Sequence, residues 1–547
     1  MVVLQFDEYV QLNNVAENVL ISPPQQNPPL VKAIGKRVTV TFEEELKDST
    51  TYTIDFGQAI CDNNEKVPLG NFSFSFATGD HIDTLAMFGK VINAADLNPV
   101  QGVIVGVHAD LHDSAFATQA FTRIAKTDTA GQFGVLNMRG GNYRIYALRD
   151  VSKDYLYQPS EALAFTDEVF SPTLACDSDS LWYHVPDTIV LKLFTENKQR
   201  HYFMRALRDK EQHFFTLLFS APQDSLPTIV AIPPDSLVTA ADSAWVDFTQ
   251  YMLCQTNPTR DTLVYWLTDS AAIRMDTLRF TMTYKMSDSL YQLVDTTDTV
   301  QAVYRHPRMS QKALDAKRRK DENRKVEIKS NGSSKFDIYR SIEWYTSTPL
   351  MDWAVDSMHL MEKKDTLLLP VTFRLEPLDS IRQRFAIRAD LQPEHAYVLQ
   401  MDSGAMHDIY GISNNAFKAD YRLRSLDEYS TLTIRLEHYD SRARIQILDE
   451  KDKVIRELQA ESEGTKFEYL EAKSFYVRMY IDLDGNGEWT TGDWALKRQP
   501  EPVYYFSKKL TLRANWEFEE VFDHLATPLL EQKPKALIQV DTGKQKK

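Results

Sequence analysis

Only three cysteines occur in 547 residues, Cys61, Cys176 and Cys254, each in a different segment. That spacing excludes a cysteine metal centre and provides no disulfide framework, so free buried thiols are expected. Glycine is scarce, at 19 residues, and none falls into a phosphate-cradling loop or a dinucleotide fingerprint. The 12 histidines do not cluster. His395 and His407 stand near Asp402 and Asp408 in turn-like stretches and read as satisfied turn histidines. Ser403-Gly404 lacks the strand–turn–helix setting of a nucleophile elbow. No run of about 20 apolar residues exists, so no helix is expected to span a membrane. Positive charge is in deficit, with Lys and Arg at 62 against Asp and Glu at 77, a net charge of −15. This argues against nonspecific binding of nucleic acid or of anionic membranes through the whole surface. Acidic pairs are too abundant to single out one as a hydrolase pair. The chain is therefore expected not to be an enzyme.

Aromatic residues are plentiful, with 25 Tyr, 28 Phe and 8 Trp. They sit in short stretches alternating apolar and polar residues, as in Val38-Thr-Val-Thr-Phe42 and Phe72-Ser-Phe-Ser-Phe76. Alternation with a period of two is the signature of strands with one buried face. In the second stretch Phe72, Phe74 and Phe76 should point one way. Turn signals recur about every ten residues, the pattern of β-sandwiches.

One stretch carries a recognisable chemistry. Asp482-Leu-Asp-Gly-Asn-Gly-Glu-Trp-Thr-Thr-Gly-Asp493 reads as a calcium loop. Oxygen-bearing side chains fall at loop positions 1 (Asp482), 3 (Asp484), 5 (Asn486), 9 (Thr490) and 12 (Asp493). Gly487 stands at the sharp turn, and the carbonyl of Glu488 is placed for position 7. Asp493 departs from the longer, bidentate Glu that usually closes such a loop. The preceding Phe475–Ile481 is β-branched and aromatic, so the loop is expected to join strands rather than helices. The pattern recurs 332 residues earlier: Asp150, Ser152, Asp154, Leu156 (through its carbonyl) and Glu161 form a second, degenerate ligand set, with Tyr155 in place of the turn glycine. Structural Ca2+ is the expected cofactor.

Residues 1–79 also carry Leu20-Ile-Ser-Pro-Pro, Leu46-Lys-Asp-Ser-Thr-Thr-Tyr-Thr-Ile and Pro68-Leu-Gly-Asn-Phe-Ser-Phe-Ser-Phe-Ala-Thr-Gly79. These resemble the bacterial S-layer-type Ig-like domain, a spacer and interaction module of cell envelopes. The resemblance implies a first strand before residue 1. The strand-like opening Met-Val-Val-Leu-Gln-Phe likewise predicts that Met1 is not the natural start and that a leader precedes it. Residues 83–195 hold Gly89-Lys-Val-Ile-Asn, Asn98-Pro-Val-Gln-Gly-Val and Thr127-Asp-Thr-Ala-Gly-Gln-Phe133. This segment is similar to the carboxypeptidase regulatory-like, or prealbumin-like, β-sandwich, which is non-catalytic. Residues 196–305 are a further β-sandwich, and 306–335 a basic linker or insert. Residues 336–428 read as a second Ig-like domain, because Leu391-Gln-Pro-Glu-His-Ala-Tyr-Val-Leu matches Leu46–Ile54 at an offset of 345. Residues 429–524 are a prealbumin-like sandwich with the calcium loop, closed by Leu510–Trp516, and 525–547 a flexible tail. The order Ig-like domain, then loop-bearing sandwich, thus occurs twice, as in a duplicated two-domain unit.

The expected fold is all-β: tandem Ig-like and prealbumin-like β-sandwiches arranged as an elongated multidomain rod. The chain as a whole is similar to Ig-like lipoproteins of Gram-negative envelopes. That resemblance implies an extracytoplasmic, outer-membrane-associated protein, held by a lipid anchor that no residue here supplies. A non-catalytic scaffold contacting an envelope protein partner is the first expectation. A glycan-binding or adhesive module, with exposed Tyr155, Tyr157 and Trp489 stacking on sugars, is the second. An accessory subunit of an envelope hydrolase or outer-membrane complex is the third. No nucleic-acid partner is expected, and the oligomeric state is open.

Overall fold

The computed structural model describes residues 1–70, 72–174, 189–197, 200–208, 212–233, 246–289, 291–306, 310 and 323–543. The protein is almost entirely β-structure, and its alternating sequences close into five two-sheet sandwiches, each around its own core. Two compact units are formed, one by residues 1–197 with 431–513 and 517–547, the other by 198–430 with 514–516.

In the first sandwich, Arg37–Thr41 lies between Val2–Gln5 and Leu30–Ile34, and Thr51–Asp55 lies between Leu20–Ser22 and Ser73–Ala77. Val10–Leu12 pairs with Ile60–Asp62. The core holds Val38, Val40, Tyr52, Ile54 and Phe56, with Phe72, Phe74 and Phe76 half-buried on one face. The fourth sandwich (residues 326–423) repeats this order. Arg384–Arg388 lies between Ile342–Thr346 and Arg374–Pro377, Ala396–Met401 between Met358–Lys364 and Phe417–Arg422, and Leu350–Trp353 pairs with Met406–Asp408. The matched tyrosines do the same work in both. Tyr52 Oη accepts the N–H of Lys47 at 2.9 Å, and Tyr397 Oη accepts that of Gln392 at 2.8 Å, five residues back in each case. Such a bond ties the connection between the two sheets to the core.

The second sandwich (85–193) sets Arg123–Lys126, Ile104–His108, Arg144–Leu148 and Leu163–Phe165 in one sheet. In the other, Leu85–Asn93 pairs antiparallel with Gln132–Met138 and parallel with Ile189–Leu193. The fifth (429–522) has the same order: Val454–Gln459, Ala443–Leu448, Ser474–Ile481 and Val503–Tyr505 in one sheet, with Thr465–Glu471, Tyr429–Leu436 and Glu517–Phe522 in the other. Its parallel closing strand is Glu517–Phe522, not the expected Leu510–Trp516. Leu510–Thr511 instead makes a short pairing with Ser474–Phe475. The third sandwich (203–303) packs two sheets around Phe215, Leu217, Phe248, Phe280 and Met282.

The tail departs from the flexible segment expected at 525–547. Leu529–Gln532 is helical, and Leu537 joins the core formed by Ile92, Leu448, Tyr480 and Tyr505. Lys533 is buried, its Nζ donating to Asp452 at 2.7 Å and to the carbonyl of Asp96 at 2.6 Å. Asp541 continues the seam through an N–H bond to the carbonyl of Pro99. The partners that satisfy this buried ammonium, Asp452 and the carbonyl of Asp96, both lie outside the tail. Lys544–Lys547, half of the basic stretch 306–335 (residues 307–309 and 311–322) and Cys176 lie outside the described residues; of the expected linker, Ile328–Ser330 is instead a strand of the fourth sandwich. Cys61 and Cys254 are free thiols.

Candidate functional site

Both predicted loops leave the end of a core strand, Arg144–Leu148 in one case and Ser474–Ile481 in the other, and return into the neighbouring strand of the same sheet. Their internal geometry is the same. Asp482 accepts the N–H groups of Gly485 (2.7 Å) and Gly487 (2.9 Å). Asp150 accepts those of Lys153 (2.6 Å) and Tyr155 (3.0 Å) at the same spacings. Gly485 and Gly487 have φ of 74° and 82°, and Lys153 and Tyr155 have 63° and 57°. The left-handed turn is therefore made without glycine in the earlier loop, at a cost of roughly 1–2 kcal/mol per residue. Glu488 and Leu156 occupy the same place, each donating its N–H to the side chain two residues before it, Asn486 and Asp154.

Asp482, Asp484, Asn486 and Thr490 are brought together in the later loop. Asp484 accepts the Thr490 hydroxyl at 2.7 Å and the N–H of Asn486 at 3.1 Å. The Thr490 hydrogen bond leads the effects that hold its carboxyl below the usual range. Asp493 is not part of the cluster. Its carboxylate accepts the N–H of Leu496, and its backbone pairs with Arg498 to close a separate turn. The place assigned to it is taken by Glu501, which is buried. Glu501 accepts the N–H of Leu483 at 2.6 Å and of Thr490 at 2.9 Å. Glu161 makes the equivalent bond to Val151 at 2.7 Å, so Glu501 is the true counterpart of Glu161. The later loop is eight residues longer, which displaced the sequence match onto Asp493. A legible signal existed: Gln158-Pro159 precedes Glu161 and Gln499-Pro500 precedes Glu501, each just before the returning strand.

Asp482, Asp484 and Glu501 present carboxylate oxygens within 4.8 Å of one another. Asp482 and Glu501 are both buried, and no ion pair to either occurs among the described residues. The nearby Arg444 is held by Glu457 at 2.6 Å. Oxygen ligands gathered around three closely spaced carboxylates fit a hard divalent cation. In the earlier loop Ser152 replaces one carboxylate. Glu161 is 4% exposed, and its Oε2 has no hydrogen-bond partner. Burial, with the Asp150 charge adding to it, pushes the Glu161 carboxyl up.

The eight extra residues of the later loop have a structural use. They seat Trp494 on the second sandwich, against Phe116 (5.1 Å between ring centroids), Phe165 (5.0 Å) and Tyr146 (5.8 Å). Glu196, buried just past the closing strand of that sandwich, accepts the N–H of Trp494 at 2.7 Å and the hydroxyl of Tyr157. One carboxylate thus ties both loops together. Tyr155, Tyr157 and Trp489 are half-buried in this aromatic cluster, so they do not form the exposed sugar-stacking platform considered above. Their amphipathic rings fill a junction instead.

Nothing among the described residues gathers into a catalytic constellation. His395 pairs with Glu362 at 2.7 Å and His407 with Asp352 at 2.9 Å, both exposed.

Comparison with known proteins bears on the class first. Residues 1–78 match the model of the Bacterial Ig-like domain, so the chain opens with such a domain within an all-β, multi-sandwich protein. No curated protein matches the chain. Among solved structures, the chain is matched to the major pilin subunit of Bacillus cereus, at 7% identity, 81% of this chain, 99% of that one and a TM-score of 0.12. It is also similar to a fragment of Escherichia coli alpha-2-macroglobulin (10% identity, 57% and 97% covered, TM-score 0.17) and to the S-layer protein SbsC (10%, 93% and 66%, TM-score 0.14).

Proposed function

We propose that this chain is a non-catalytic cell-envelope protein, a scaffold or partner-binding module whose loop-bearing sandwiches are stapled by calcium. The Bacterial Ig-like domain at residues 1–78 supports an extracytoplasmic, cell-surface role. The Asp482, Asp484 and Glu501 cluster is the observation that carries the calcium assignment. Asp482, Asp484, Glu501 and the oxygens of Asn486 and Thr490 would hold the ion in the later loop, and Asp150, Ser152, Asp154 and Glu161 in the earlier one. A cation there neutralises buried carboxylates and stiffens the junction that Trp494 and Glu196 form. Extracytoplasmic calcium is concentrated enough to fill sites binding at about 10⁻⁴–10⁻³ M. A lipid anchor in the outer membrane and prealbumin-like relatedness of residues 83–195 and 429–524 belong to the same reading.

The location is tested by fractionating cells that produce the natural full-length protein, with protease treatment of intact cells. Recovery in the membrane or surface fraction is expected. Recovery in the cytosol refutes the reading. The calcium staple is tested by the variants described in the Discussion.

A further inference from the structure

At one end of the fifth sandwich the fold brings together two histidines that stand far apart in the sequence. Tyr429–Leu436 and Glu517–Phe522 run parallel, with Leu436 opposite Phe522. The N–H of Glu437 still donates to the carbonyl of Phe522. Carried on by two residues, that register sets His438 opposite His524. Neighbouring strands lie about 4.8 Å apart, close enough for two imidazoles to reach one point. The two ring centroids are 5.9 Å apart. Asp523 belongs to the same cluster, its Oδ1 standing 3.7 Å from Nε2 of His438.

Each of the three has a donor atom to spare. Nδ1 of His524 is buried and has no hydrogen-bond partner, although buried polar atoms are normally satisfied. Tyr504 packs against the same ring, at 4.7 Å between centroids. His438 is exposed, and its approach to Asp523 is too long for a hydrogen bond. Asp523 uses Oδ1 to cap the N–H groups of Leu525 (2.9 Å) and Ala526 (3.1 Å). Its Oδ2 accepts no hydrogen bond among the described residues. Asp440, close by, is already committed: Arg442 holds both of its oxygens, at 3.1 and 2.8 Å. What is left is one carboxylate beside two imidazoles, which are neutral ligands above their ordinary pKa of about 6.5.

We infer that His438, His524 and Asp523 form a binding site for a first-row transition-metal dication. Two imidazoles and a carboxylate suit Zn2+, whereas calcium takes oxygen ligands. Nδ1 of His524 is the buried donor, and the ion satisfies it. Two imidazoles on one tetrahedral ion place their centroids roughly 5 Å apart. Closing the site therefore takes about 1 Å of approach and a turn of the exposed His438 ring, an ordinary rotamer change for such a side chain. The bound ion pins the closing strand Glu517–Phe522 to Tyr429–Leu436 at the point where the C-terminal segment departs. The site goes beyond the proposed function and shares no residue with the cation loops, so either can fail alone.

The probe is Zn2+ alone, titrated calorimetrically into the metal-free full chain in a large excess of calcium, which occupies the oxygen-lined loops. Saturable binding of one Zn2+ that the calcium does not displace is expected. His438→Ala, at an exposed position, and Asp523→Asn, which keeps an oxygen for the cap, are each expected to weaken it at least tenfold. Neither should alter the unfolding midpoint of the metal-free chain. His407→Ala removes an exposed histidine paired with Asp352 elsewhere and should bind as wild type does. Absence of saturable Zn2+ binding, or wild-type affinity in either His438→Ala or Asp523→Asn, overturns the inference.

Discussion

Exchanging one carboxylate of the later loop for its amide separates the two assignments of the closing ligand. Glu501 accepts two buried N–H groups, from Leu483 and Thr490, and stands within 4.8 Å of Asp482 and Asp484. In Glu501→Gln one acceptor oxygen is retained, and an amide NH2 is turned toward the other N–H. One buried donor is then orphaned, at a cost of about 1–3 kcal/mol. The same change removes a third of the charge that would hold the ion. In Asp493→Asn the side-chain oxygen can still cap the N–H of Leu496, and weakening that bond costs under about 1 kcal/mol. With a dissociation constant of roughly 0.1 mM and about 1 mM calcium, the stabilisation is about 1.4 kcal/mol. For the compact unit that carries the loop, residues 1–197 with 431–513 and 517–547, that raises the unfolding midpoint by roughly 2 °C. Calorimetric unfolding with calcium and with chelator is the assay. Wild type and Asp493→Asn should show the shift, and Glu501→Gln should not. A shift kept in Glu501→Gln and lost in Asp493→Asn refutes the ligand set derived from the fold. No shift in wild type refutes the staple.

The remaining predictions concern groups set by packing. His108 is buried with its Nε2 unbonded, and burial lowers its pKa to about 4. The unfolded chain, with an ordinary value near 6.5, binds the proton more tightly. Stability is therefore lost as pH falls from about 6.5 toward 4, by about 2 kcal/mol at pH 5, and His108→Phe should flatten that part of the urea-unfolding profile relative to wild type. Tyr52→Phe and Tyr397→Phe each delete one buried bond to a backbone N–H. Each should destabilise its own sandwich by about 1–2 kcal/mol, measured as a shift in denaturation midpoint. Lys533→Ala leaves Asp452 without its ammonium partner and should cost about 3 kcal/mol. Limited proteolysis should then release the C-terminal segment sooner than in wild type.

Alternation in stretches such as Phe72–Phe76 determined the strands, because a period of two has only one buried-face solution. The offset match around Tyr52 and Tyr397 determined the repeated sandwich, and the tyrosine bonds follow from it locally. Asp482, Asp484 and Asn486 were legible for the same reason, since a tight loop brings alternate residues to one point whatever surrounds it. Glu501 was not. It reaches the cluster after an eight-residue excursion whose length is set by where Trp494 finds Phe116 and Phe165, side chains more than 300 positions away. Lys533 likewise looked like part of a frayed tail until Asp452 and the carbonyl of Asp96 were placed around it. Tyr157 and Trp489 had the composition of a binding surface, and only the packing of one sandwich on another decided that they are half-buried in a junction. Local spacing fixes contacts whose loop-closure entropy is small; contacts across hundreds of residues are decided by which cores meet.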